Sequence, residues 1–172
     1  MVTLFLIVIY AAFISLGLPD SLLGVAWPVA QKEFGASLGD AGIISMVISV
    51  GTVVSSLFSS KLLKRFGVGK VTAVSVLMTA LALLGFSFVP AFVCMFRLAS
   101  PLGLGAGAVD SGLNEYVAEH YESRHMSWLH CFWGVGAMAG PLIMSQYMSL
   151  GVDWRMGYLT VAIIQFVLVA VL

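Results

Sequence analysis

With 172 residues, 60% of them hydrophobic, 9% charged and a formal net charge of zero, the chain is unlike a soluble domain, which carries roughly a quarter charged residues. Eight basic and eight acidic side chains are too few to build a water-facing shell, so lipid is the expected solvent. Neutral balance excludes a phosphate-reading nucleic-acid surface.

A bilayer core needs roughly 20 apolar residues per helix, and runs of that length, cut by charge or Pro/Gly clusters, parse the chain into six transmembrane helices. Met1 opens into apolar sequence without a basic leader, so the first run, 3–30, is expected to stay in the protein as one helix. The second run is 41–63 and the third 71–89, joined by the basic stretch Lys64-Arg65-Phe66-Gly67-Val68-Gly69-Lys70. Pro90 precedes the fourth, 91–118; the fifth is 127–150; the sixth is 156–172 and ends on an apolar stretch that reads as continuing. All connections are short, which predicts antiparallel neighbours in an all-α membrane domain over residues 1–172. Lys61, Lys64, Arg65, Lys70 and Arg124 fall on even-numbered connections and only Lys32 and Arg155 on odd ones. Positive charge is kept inside, so the N-terminus is predicted cytoplasmic in the cell membrane.

Composition within the runs adds detail. Gly103, Gly105 and Gly107 in the fourth, and Gly134, Gly136 and Gly140 in the fifth, let helix backbones approach closely. Cys94 and Cys131 lie in apolar segments without pairing or ligand spacing and read as buried small hydrophobes; neither a metal nor a cofactor is expected. The first helix carries Gly17-Leu18-Pro19-Asp20-Ser21 and the fourth Gly107-Ala108-Val109-Asp110-Ser111. This G-x-x-D-S echo in corresponding helices suggests two inverted three-helix repeats, as in many secondary transporters.

Ionisable side chains in a membrane helix cost about 2.5 to 3.5 kcal/mol each to insert and usually face a partner or a cavity. Asp20, Arg97, Asp110 and His130 are the cases here. Asp20 and Arg97 can share a depth, which leaves two readings, a structural ion pair or a site for solute or proton. Asp110 has Asn114 at i+4 on its own face and reads either as a proton-coupling group or as a hydrogen-bonded structural residue. His130 reads either as bonded to a neighbouring helix or as a relay. The charges together predict that Asp20, Arg97, Asp110 and Asn114 face one central cavity.

Several stretches, in order along nearly the whole chain, resemble the major facilitator superfamily. Ser60 to Lys70 is similar to its G-x-x-x-D-R-x-G-R-R connection, keeping Arg65, Gly67 and a terminal Lys70 but carrying Ser60 for the first Gly and Lys64 for the Asp. Arg97 with Gly103 resembles R-x-x-x-G with the glycine displaced; Gly136 to Pro141 is similar to G-x-x-x-G-P; Trp154-Arg155 with Tyr158 resembles W-R-x-x-Y. Within that superfamily Gly105 to Asn114 and Trp128-Leu129-His130 look like the fucose permease group, where an acidic residue four before an Asn serves proton-coupled sugar uptake and matches Asp110 with Asn114. Gly24 stands where that group has its first-helix Asp, and Trp133 where it has a fifth-helix Asn.

The resemblance implies one half of a secondary active transporter for a small polar solute, such as a sugar taken up with a proton. It implies as partners the lipid bilayer and a second six-helix half, supplied by covalent continuation or by a homodimer. The alternative class is a non-transporting scaffold or assembly subunit, whose polar residues would stay within helix contacts and line no cavity. An intramembrane enzyme would need a nucleophile-base or metal set that His130, Cys131 and the aspartates do not form.

Overall fold

The first expected helix is interrupted. In the computed structural model, which describes residues 2–172, α1 (Val2–Gly17) ends at a turn over residues 18–21 and α2 (Leu22–Phe34) follows it. Pro19 has no N–H for the Ser15 carbonyl four residues back, and its ring crowds that carbonyl. The turn uses shorter bonds instead: Asp20 N–H donates to the Gly17 carbonyl (3.2 Å) and Leu22 N–H to the Pro19 carbonyl (3.2 Å). The Ser15 carbonyl accepts from Nε2 of Gln165 (3.0 Å), and Gln165 Oε1 accepts from the Thr79 hydroxyl (2.8 Å). All three residues are buried. A polar side chain from the far end of the chain thus closes the gap that Pro19 opens.

The remaining helices are α3 (Asp40–Phe66), α4 (Val68–Phe86), α5 (Phe92–His120), α6 (Ser123–Ser149) and α7 (Arg155–Val171). Four stretches, Phe5–Phe34, Asp40–Phe66, Val68–Phe86 and Phe92–His120, are long and apolar enough to cross a bilayer. The basic connection is shorter than its charge suggests, because α3 runs through Lys64 and Arg65 and only Gly67 separates it from α4. Long cationic side chains keep their stems on the helix and their heads in water, so they do not end it. Gly67 ends it, at φ +83, a conformation open to glycine, with its N–H on the Leu63 carbonyl (2.8 Å).

α3 packs chiefly on α5, α4 on α5 and α7, and α1 on α6. At two of these crossings a pair of glycines brings backbone against backbone. A Cβ at Gly103 or Gly107 of α5 would collide with the Ile48 and Thr52 carbonyls of α3, and one at Gly136 or Gly140 of α6 with the carbonyls of Ile14 in α1 and Leu18 in the turn that follows it. Each set is a small-x-x-x-small pair, and close backbone approach, rather than hydrophobic driving force, holds helices together in lipid. Hydroxyls reinforce the α3–α5 crossing, Thr52 to the Gly103 carbonyl and Ser56 to the Gly107 carbonyl (both 3.3 Å). Gly107→Leu and Gly140→Leu are therefore expected to destabilise at or above the upper end of the about 1–3 kcal/mol typical of overpacking. Gly134→Leu should be tolerated, since its Cβ meets nothing within 4 Å. The monodisperse fraction after detergent extraction checks this, and equal yields of all three variants would contradict it.

One composition-based expectation is corrected. Cys131 is exposed and Cys94 only half-buried, because bundle faces turned to lipid or to a cavity select apolar residues without enclosing them.

Candidate solute cavity

Asp20, Asp110 and His130 come together. They line a cavity of about 310 Å³ with Leu16, Ile48, Thr52, Ala106 and Trp133. Asp20 reaches it from the turn between α1 and α2, where Pro19 ends the first helix. Asp110 reaches it from α5, three residues beyond Gly107, whose close contact with Thr52 fixes that helix against α3. α6 adds His130 and Trp133 one turn apart. A second cavity of about 380 Å³ shares Asp20, Ile48, Thr52 and Ala106 and extends to the hydroxyl-bearing Ser45 and Ser49 and the rings of Phe86 and Tyr158.

The partners differ from those expected of the sequence. Asp20 Oδ2 accepts from the Trp133 indole N–H (2.9 Å); the Asp20–Arg97 ion pair, one of the two readings open for these residues, is not made. Arg97 is exposed and takes part in none of the salt bridges among the described residues, which are Arg124–Glu122, Arg155–Glu33 and Arg155–Asp153. A flexible cation on an exposed face loses less by staying solvated than by crossing the bundle. Asn114 stands behind Asp110 rather than in the cavity lining. Its Nδ2 donates to the Asp110 backbone carbonyl (2.9 Å) and to Asp110 Oδ1 (3.1 Å), leaving one carboxylate oxygen for other partners. His130 is exposed and meets Phe13 edge-on, ring centres 6.3 Å apart.

The lining therefore carries two carboxylates, one imidazole, an indole and a threonine hydroxyl, and no Lys or Arg. Such a wall accepts hydrogen bonds from hydroxyl or amino groups, can hold a proton on carboxylate or imidazole, and repels anions. Sequence reasoning missed Thr52, Trp133, Ser45, Ser49 and Tyr158. An intramembrane Thr or Ser is too cheap to stand out as a charge does, and Trp133 stood out only as a departure from the resembled group's Asn until the structure set Asp20 beside it.

Lys64, Arg65 and Lys70 are exposed at the other basic feature, the α3–α4 junction. At the junction of α2, α4 and α7, Arg155 forks onto Glu33 (2.6 and 2.9 Å) and donates to the Val89 carbonyl (2.8 Å), while the Trp154 indole also donates to Glu33 (3.1 Å). Bidentate geometry makes this pair stronger than an ordinary surface ion pair. Glu33 is half exposed, with 47% of its side chain accessible, so a coupling of only about 1 kcal/mol is expected between Arg155→Gln and Glu33→Gln. A double-mutant cycle on the thermal midpoint measures it, and strict additivity would refute the clamp.

The fold has counterparts among known proteins. A crystal structure of the peptide transporter POT in complex with sulfate superposes with a TM-score of 0.76 at 17% identity, covering 98% of this chain and 36% of that one. The glucose/mannose transporter GlcP of Bacillus subtilis is 23% identical over 161 residues, which are 92% of this chain and 40% of GlcP. The niacin transporter NiaP of Acinetobacter baylyi is 26% identical over 132 residues, 74% of this chain and 30% of NiaP. The chain thus spans less than half the length of these relatives. The family model of the Major Facilitator Superfamily matches residues 8–172, nearly the whole described bundle with both its glycine crossings and its acidic cavity, and the chain belongs to that superfamily as a multi-pass membrane protein.

Proposed function

We propose that this chain forms one half of a secondary active transporter that carries a small polar solute, a sugar by preference, together with a proton. The observation that carries the reading is the cavity in which Asp20 and Asp110, from α1–α2 and α5, meet beside His130, Trp133 and Thr52. A scaffold has no use for two carboxylates on one open wall, because each costs insertion energy and neither forms a salt bridge among the described residues. The similarity to transporters named for glucose/mannose and niacin agrees with a small polar solute.

In this reading α1 and α2 together form the first of six spans, with α3 to α7 as the other five. The N-terminus is cytoplasmic in the cell membrane, following the basic junction at Lys64, Arg65 and Lys70. The helices form two inverted repeats of three. Counting 90 residues on from Leu16, Gly17, Asp20 and Ser21 leads to Ala106, Gly107, Asp110 and Ser111; the pairs Leu16/Ala106 and Asp20/Asp110 both line the cavity, and Gly17 and Gly107 both sit at close backbone crossings. That is the arrangement expected when a solute site lies at a repeat interface. A second six-helix half, by continuation of the chain or from a second copy, closes the other side of the cavity.

The test is uptake by proteoliposomes of the complete transporter with labelled sugars, small carboxylates and amines, with and without an imposed proton gradient. Saturable, gradient-dependent uptake of an uncharged polyhydroxy solute is the expected result. Uptake of anions alone, or of nothing in the panel, would overturn the proposal.

A further inference from the structure

A hollow larger than the acidic cavity, a groove of about 580 Å³, opens on an exposed face of the bundle, walled by Val54, Phe58, Leu62 and Phe66 of α3 and by residues of α4 from Lys70 to Met78, with Leu104 and Ala108 of α5 as its floor. It exists because α3 and α4 both pack on α5 and little on each other, so they diverge from their tight junction at Gly67. Lys70 is the one charged residue of the lining. Two more cations sit on the wall at the same end: Lys61 Nζ lies 5.9 Å from the Phe58 ring centre and the Arg65 guanidinium 5.3 Å from that of Phe66. None of the three is in a salt bridge among the described residues. The sequence has no Asp or Glu from Ala41 to Val109; the nearby acid is Glu115 of α5, which accepts from the Ser60 hydroxyl (3.0 Å). From Phe66 to Val54 the groove runs for about 18 Å at the helical rise, close to the length of a lipid acyl chain.

We propose that this groove binds one anionic phospholipid, with an acyl chain between α3 and α4 and the phosphate among Lys61, Arg65 and Lys70. An apolar trough open to the bilayer and ending in three uncompensated cations complements a molecule with a tail and a negative head; a zwitterionic head brings its own cation and gains less. The site is separate from the acidic cavity and does not depend on what the protein transports. It ties the α3–α4 junction to the membrane surface.

The experiment reconstitutes the full-length protein in nanodiscs of equal parts phosphatidylglycerol and phosphatidylcholine and counts, by native mass spectrometry, the lipids retained on release. Wild type should retain one phosphatidylglycerol in preference to phosphatidylcholine. Lys70→Gln should lower that preference about fivefold, as should Arg65→Gln. Val74→Trp, at an exposed position in the groove wall, should displace the tail and abolish retention of either lipid without disturbing the core. Equal retention of the two lipids by wild type, or unchanged retention by Val74→Trp, overturns the proposal. So does displacement by soluble glycerol 3-phosphate, which would reveal an anion site with no use for a tail.

Discussion

Replacing Asp110 with Asn is expected to leave solute exchange intact and to reduce proton-driven accumulation to the passive leak. Asn cannot release a proton, but it keeps the size of Asp and an acceptor oxygen. Nδ2 of Asn114 can still donate to position 110 through the backbone carbonyl and the side-chain oxygen, as it does now at 2.9 and 3.1 Å. The variant therefore mimics the protonated state, in which solute still binds and exchanges while coupling is lost. Counterflow and gradient-driven uptake, measured side by side in the complete transporter, separate the two, and undiminished accumulation by Asp110→Asn would sink the coupling role. Asp20→Asn should behave differently. Read from sequence alone, one open pairing would have made this change strand a buried Arg97 and lower expression. With Arg97 exposed and Asp20 bonded to Trp133, the variant keeps an acceptor for the indole, and the expected result is normal yield with a weakened apparent solute affinity.

Gln165→Leu is expected to cost more stability than any other single polar-to-apolar change in the bundle. Leu removes the donor that serves the Ser15 carbonyl, a group that Pro19 has already deprived of its helical partner. Thr79 keeps an alternative acceptor in the Val76 carbonyl at 2.9 Å, so the loss falls on Ser15. An orphaned buried carbonyl costs about 1–3 kcal/mol, and hydrocarbon supplies no water to relieve it. Pro19→Ala supplies the check, since alanine carries the N–H that Pro19 lacks and can close the Ser15 bond within the helix. In the Pro19→Ala background Gln165→Leu should cost clearly less, read as the heat-induced loss of the monodisperse peak. If the cost is the same in both backgrounds, Gln165 acts by packing alone. Because Asp20 follows Pro19 directly, the Pro19→Ala protein should also show altered solute affinity, the mark of a turn that positions the carboxylate.

Some parts of the site were legible because their cost is visible in one dimension. Asp20, Asp110 and His130 stand out in apolar runs whatever the fold. At the family-like junction of Lys64, Arg65, Gly67 and Lys70 only Gly67 was legible as a break, since its φ of +83 is one that other residues adopt with difficulty, while the helix runs on through Lys64 and Arg65. Arg97 looked equally costly on paper, yet it forms no salt bridge among the described residues, because a charge's position along a helix does not say which way the helix is turned. Asn114 was read as a cavity residue, but i+4 spacing turned its amide back onto Asp110.

The sequence by itself determined that the protein lives in lipid and that it is helical, because hydrocarbon requires every backbone group to be satisfied within the segment; it did not mark the break at Pro19 or show that Gly67 alone separates α3 from α4. It also marked four of the closest approaches, Gly103, Gly107, Gly136 and Gly140, where only glycine lets backbone meet backbone, although Gly134, read with them, faces open space. Tertiary structure alone decided how the Pro19 break is repaired and which neighbour Asp20 takes. The partners, Gln165 and Trp133, lie 150 and 113 residues along the chain from the groups they satisfy. A hydrogen bond across a bundle depends on helix rotation and depth, which composition and spacing do not specify; it exists only once the helices are packed.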